Sequence, residues 1–161
     1  MTHRLLLMGV SGSGKSTIGP MLADALSLPF ADADAFHPPA NIAKMAAGTP
    51  LTDEDRWPWL AALGAWLAAQ PAGGVVACSA LKRIYRDRLR DAVPGLRLLH
   101  LHGDAALIAA RQAGRAGHFM PAELMVSQFA TLEPPAPEEG AIVLDVREAP
   151  EALVARTVKS L

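Results

Sequence analysis

The stretch Gly9-Val10-Ser11-Gly12-Ser13-Gly14-Lys15-Ser16 constrains this chain more than any other part of it. It satisfies the pattern G-x-x-x-x-G-K-[ST], in the surroundings that pattern requires. Before it, Arg4 to Met8 is a short apolar run of the kind that forms a buried parallel strand. After it, Ile18, Met21, Leu22, Ala25 and Leu26 recur at helical intervals. A strand, a glycine-rich turn and a helix in that order line up backbone N–H groups at a helix N-terminus, where they bind phosphate oxygens. Residues Gly9 to Thr17 are therefore the candidate nucleotide-phosphate site, with Lys15 reaching the outer phosphates and the Ser16 hydroxyl helping to hold Mg²⁺. An ordinary glycine-rich turn is the competing reading, and the strand–helix context argues against it. The loop fixes where phosphate goes and leaves the reaction open, because kinases, GTPases, motor ATPases and regulators share it.

The remaining pattern extends the same theme. Strand signals recur at Pro29–Ala33, Val75–Cys78, Leu96–Leu101 and Ala141–Val146, with helical stretches between them. Pro38-Pro39 opens a helix that Gly48 stops, and Thr52 followed by Asp53-Glu54-Asp55 caps another. Pro134 to Gly140 reads as a loop. Alternating strands and helices over 161 residues predict one α/β domain, with a parallel sheet covered on both faces.

Formal net charge is −1 and the basic residues are spread along the chain, which argues against a general nucleic-acid or membrane-surface binder. The single cysteine, Cys78, allows no intrachain disulfide and suits a reducing compartment; it reads as a small buried residue rather than a nucleophile. The apolar run Leu5 to Val10 is too short for an export signal or a membrane span, so a cytoplasmic location is the expectation.

Asp32 and Asp34 are two apart, so in a strand they would share a face near the carboxyl end of the second strand. Phosphoryl transfer needs a carboxylate beside the acceptor hydroxyl and a carboxylate for Mg²⁺, bound directly or through water. The pair can supply both, Asp34 as base and either acid at the metal; a solvated turn containing two acids is the plainer alternative. His37 before Pro38 is a loop or cap residue that could also touch substrate.

With these residues in view, the chain resembles the gluconokinase family. The resemblance is carried by Met8 to Thr17, Asp32-Ala-Asp34-Ala-Phe-His37-Pro38, Asn41-Ile-Ala-Lys44-Met45 and Pro50 to Leu60. It continues through Cys78 to Asp87, Gly117-His118-Phe119 and Ser127 to Glu133, so it spans about residues 5–135. It implies ATP-dependent phosphorylation of D-gluconate to 6-phospho-D-gluconate. It also implies the three-layer α/β/α fold of shikimate and nucleoside monophosphate kinases: a five-stranded parallel sheet, a helical substrate-binding segment over about residues 35–70 and a lid over about 111–123. Kinases of this family are commonly homodimers.

A gluconate site needs a cation for the carboxylate, and Arg56, Lys82 and Arg86 are the candidates. Lys82 and Arg86 are four apart and would share a helical face after the third strand, unless they are solvated surface charges. Ser79, where that strand ends, could donate to a sugar hydroxyl. No carboxylate follows the third strand, so metal binding falls to Ser16, Asp32 and Asp34. Arg111 and Arg115 are one turn apart among glycines and could close over the γ-phosphoryl group, unless the segment is a basic surface loop. His118 and Gln128 belong to the matched strings as lid anchors or gluconate contacts. Two rival readings are a kinase of the same fold acting on shikimate, a nucleoside monophosphate or another sugar acid, and a nucleotide-dependent regulator.

Overall fold

The computed structural model describes residues 2–113 and 122–161. The elements are β1 (His3–Met8), α1 (Lys15–Leu26), β2 (Phe30–Asp32), a 3-10 turn (Ala33–Phe36), α2 (Pro39–Ala46), α3 (Asp53–Ala68), β3 (Gly73–Ala77) and α4 (Arg83–Ala92). Then follow β4 (Leu96–His102), α5 (Ala105–Ala113), α6 (Ala122–Thr131), a 3-10 turn (Pro137–Glu139), β5 (Ile142–Asp145) and α7 (Pro150–Ser160). The strands form a five-stranded parallel sheet in the order β2-β3-β1-β4-β5.

The central strand explains the layering. Leu5, Leu6, Leu7 and Met8 are all fully buried, as expected of a parallel strand packed on both faces. Leu5 and Leu7 face one core with Ile18 and Leu22 of α1 and Leu153 and Val154 of α7. Leu6 and Met8 face the other core with Leu60, Leu63 and Leu67 of α3 and Leu89 of α4. Burying each of these side chains contributes roughly 1.5–3 kcal/mol, so the centre of the sheet is the rigid base of the molecule. The chain leaves β1 toward β2 and β3 on one side and later fills β4 and β5 on the other. The carboxyl end of β1 is thus the point where the winding reverses, the place where open α/β sheets bind ligands.

Three expectations change. First, β2 ends at Asp32, and Asp34 lies in the 3-10 turn rather than in the strand. The Asp32 side chain accepts a hydrogen bond from the Asp34 N–H at 3.0 Å, which turns the backbone out of the sheet. Strand alternation therefore does not explain how the two acids face the same space. Second, α4 begins at Arg83, and Lys82 is extended at its N-cap, so Lys82 and Arg86 do not lie on successive turns of one exposed face. Third, the Pro134–Gly140 loop contains a 3-10 turn whose Glu139 side chain is 1% exposed.

Candidate active site

The loop between β1 and α1 gathers the first group of residues. Gly14 caps α1 with φ 106°, a conformation that side chains disfavour. A Cβ on Gly9 would sit 2.9 Å from the Leu101 carbonyl oxygen, so the loop can lie against β4 only with glycine there. The Lys15 ammonium donates to the carbonyl oxygens of Gly9 and Val10 at 2.8 and 3.0 Å, which holds it over the loop. Burial pushes its pKa down to about 8, against the pull of Cys78, Asp32 and Asp34. An ammonium this poorly solvated, hydrogen-bonded to two carbonyl oxygens, favours an anionic ligand. The Ser13 hydroxyl is buried with no hydrogen-bond partner among the described residues, a second group in the loop left to be satisfied. Both observations fit a nucleotide's phosphates.

Three cavities lie in series, two of them lined by this loop. The middle one, about 420 Å³, is lined by Ser11, Gly12, Gly14, Lys15, Ser16, Asp32, Asp34, Trp59, Cys78, Ser79 and Gln128. On one side it shares Gly12 and Gly14 with a cavity of about 550 Å³ that Thr17, Arg111, Arg147 and Pro150 also border. On the other side it shares Trp59, Ser79 and Gln128 with a cavity of about 210 Å³ bounded by His37, Arg56, Tyr85 and Thr131. The series has the shape required for a donor base, a phosphate chain and a small acceptor.

The oxygen donors of the middle cavity suit Mg²⁺, which takes few protein ligands and keeps its waters and phosphates. Ser16, Asp32 and Asp34 are there, and no group of three or more His, Cys, Asp or Glu forms a metal cage among the described residues. Cys78 borders the same space, but burial pushes its thiol up to about 12, which leaves it protonated and inert.

Around the smallest cavity, α3 and α4 meet through charged contacts. The Arg56 guanidinium donates to the carbonyl oxygens of Leu51 and Thr52 at 2.8 and 3.1 Å and lies 5.3 Å from the centre of the Tyr85 ring. Tyr85 donates its hydroxyl to Asp53 at 2.6 Å, and Lys82 lies 3.3 Å from the same carboxylate oxygen. Arg56 borders the cavity, whereas Lys82 is turned to Asp53. His37 stacks on Trp59 with centroids 4.2 Å apart.

Arg86 is not where the spacing put it. It is fully buried, donates to both Glu139 carboxylate oxygens at 2.8 and 3.2 Å, and donates to the carbonyl oxygens of Ala80, Leu81 and Glu133. Its donors are spent on holding the β3–α4 loop and the end of α6, so it has none for a substrate carboxylate. Gln128 accepts from the Ser11 N–H at 2.7 Å. Arg111 is exposed beside the 550 Å³ cavity. Arg115, His118 and most of the expected lid lie outside the described residues.

Sequence reasoning missed the walls. Trp59 and Tyr85 lie inside the matched strings Pro50 to Leu60 and Cys78 to Asp87 without a role of their own, and Arg147 and Pro150 lie beyond the last strand signal. Only the position of Arg147 and Pro150 after the last strand, at the ligand end of the sheet, could have signalled the nucleotide wall.

The comparisons agree with this geometry. The family model for shikimate kinase matches residues 11–120. The thermoresistant gluconokinase of Escherichia coli is 46% identical over 161 residues, covering 98% of this chain and 92% of that protein. The gluconokinase of Gluconobacter oxydans is 44% identical, covering 96% and 89%. The crystal structure of a gluconokinase from Sinorhizobium meliloti superimposes with a TM-score of 0.86 at 47% identity, over 98% of this chain and 94% of that one. A phosphate loop flanked by two further cavities and close relatives over nearly its whole length place the chain in the gluconokinase family, within the wider group of shikimate kinase-like P-loop kinases.

Proposed function

We propose that this chain transfers the γ-phosphoryl group of ATP to the 6-hydroxyl of D-gluconate, giving 6-phospho-D-gluconate. The observation that carries the reading is the middle cavity lined by Lys15, Asp32 and Asp34, joined to one neighbour through Gly12 and Gly14 and to the other through Trp59, Ser79 and Gln128. When bound, ATP with Mg²⁺ supplies an electrophilic phosphorus whose surrounding oxygens carry the negative charge.

The chain's own groups then have distinct tasks. Those backbone N–H groups of residues 9–17 that do not donate within the protein, together with the Lys15 ammonium, hold the phosphates. Ser16 with Asp32 or Asp34 holds the metal. Asp34, exposed to the middle cavity, orients the acceptor hydroxyl and takes its proton late in the transfer. Arg56 meets the gluconate carboxylate, and His37, Ser79 and Gln128 meet the hydroxyls. Arg111 borders the space read as the base site, and Arg115 and His118 would complete the closure over the γ-phosphoryl group.

A homodimer belongs to the same proposal and rests on the family resemblance, and a cytoplasmic location rests on the single cysteine and the short apolar run read in the sequence; light scattering of the purified chain tests the dimer. No helix among the described residues is long and apolar enough to cross a membrane. The activity is tested by ADP release against gluconate, shikimate, nucleoside monophosphates and other sugar acids. Stimulation by gluconate above the rest is the expected result. Stimulation by another acceptor alone, or tight nucleotide binding with no stimulation, would sink the reading.

A further inference from the structure

We infer that Asn41 is a positioning residue for the acceptor site, fixing His37 as the neutral tautomer with its proton on Nε2. The ring then offers an N–H donor to the cavity it lines. The polyol part of this inference rests on reading the 210 Å³ cavity as the gluconate site.

Asn41 is a polar residue 3% exposed, one of few such among the described residues. Its Nδ2 lies 2.9 Å from the backbone carbonyl oxygen of Asp55 and 3.3 Å from His37 Nδ1. A carbonyl oxygen can only accept, so the amide atom facing Asp55 must be the NH₂ group. That contact settles the orientation of the amide, which atomic positions alone leave open. The same nitrogen turns its second hydrogen to His37 Nδ1, so Nδ1 must present a lone pair. A neutral imidazole with a bare Nδ1 carries its proton on Nε2.

The surroundings keep the ring in place. His37 stacks on Trp59 at an interplanar angle of 14°, and Trp59 Nε1–H is fixed to the Ala33 carbonyl oxygen at 2.7 Å. The Asp55 anchor is itself held, since its side chain pairs with Lys44 at 2.7 Å and closes the capping box with Thr52. Three elements, α2, α3 and the turn after β2, thus converge on one imidazole. Because Nδ1 is taken by Asn41, Nε2–H is the polar edge left for the cavity that the ring lines. Burial favours the neutral ring, with Arg56 acting in the same direction and Asp34 opposing it. The result is a division of labour in which His37 donates to a polyol oxygen and Asp34 is left as the group that accepts a proton.

Long-range proton–nitrogen correlation spectra of the full chain read the tautomer directly and need no substrate. The His37 signals are identified by their loss in His37→Gln. The expected result at neutral pH is a bare Nδ1 and a protonated Nε2. In Asn41→Leu the two tautomers should mix, and KM for gluconate should rise about 5-fold with KM for ATP unchanged, the effect of one lost hydrogen bond. A proton on Nδ1 in the wild type would overturn the inference. So would an Asn41→Leu variant that keeps both the tautomer and KM for gluconate. If Asn41→Leu does not fold, the wild-type spectrum still decides the tautomer. A wild type with the Nε2–H tautomer but no gluconate-stimulated ADP release upholds the role of Asn41 and overturns the gluconate assignment alone.

Discussion

The side-chain oxygen of Gln128 accepts a 2.7 Å hydrogen bond from the backbone N–H of Ser11. One residue of α6 thereby touches the phosphate loop while bordering the 210 Å³ cavity proposed for the acceptor. The two binding events share this side chain, so truncating it should weaken both. Steady-state kinetics of Gln128→Ala should show KM for ATP and for gluconate each raised by roughly 5-fold, the size of one hydrogen bond. A change in only one of the two would show that the side chain serves a single ligand.

Asp34 is exposed to the middle cavity, and the proposed mechanism assigns it the acceptor's proton. Asp34→Asn keeps the shape and removes the base. Turnover should fall by about 10²-fold or more, while ATP affinity, measured by calorimetry without acceptor, stays within about 3-fold. Near-normal kcat in this variant would remove Asp34 from the proton-transfer role.

The Arg86–Glu139 pair is a structural tie, with side chains 0% and 1% exposed. Arg86→Leu leaves Glu139 a buried carboxylate without its main partner and should cost about 3–5 kcal/mol in denaturant unfolding. Burial alone would raise the Glu139 pKa, but hydrogen bonds from Arg86, the Ala136 N–H and Arg90 bring it down to about 2 from 4.5. A carboxylate held below its unfolded value stabilises fully above that value. Stability should therefore fall as pH drops from about 4.5 toward 2, and Glu139→Gln should flatten that part of the profile. An unchanged acid limb in Glu139→Gln would count against the pair.

Lys15 differs in that folding disfavours its charged form. Burial lowers its pKa from 10.5 to about 8, so between these values the unfolded chain binds more protons and ligand-free stability should rise with pH. Lys15→Met should remove that rise and raise the ligand-free Tm at neutral pH by roughly 2–4 °C, while abolishing ATP turnover. A variant that is both less stable and less active would mean that the ammonium's contacts to Gly9 and Val10 outweigh its burial.

What could be read from the sequence was what lies contiguously in it. Gly9 to Ser16 form one turn between adjacent elements, so their spacing already states their geometry. Asp32 and Asp34 were found for a reason the structure replaces, since a side-chain hydrogen bond, not strand alternation, turns Asp34 toward the cavity. Arg86 could not be read, because its neighbours Lys82 to Arg88 look like a solvated charged face and its partner Glu139 lies 53 residues away. Asn41 sat inside a matched string, yet its task depends on the meeting of α2, α3 and the turn after β2. Long-range pairings of this kind follow from packing, and local periodicity carries no trace of them.

Trp59 borders both the 420 Å³ and the 210 Å³ cavities, the spaces proposed for phosphate and acceptor. It is an indole stacked on a histidine, fixed at its nitrogen, and one of three tryptophans in the chain. The molecule therefore carries an optical probe in the wall its two ligands share. In a background where Trp57 and Trp66 are replaced by phenylalanine, emission from that single indole would register the arrival of each ligand in turn, and the order of binding could be timed without a label.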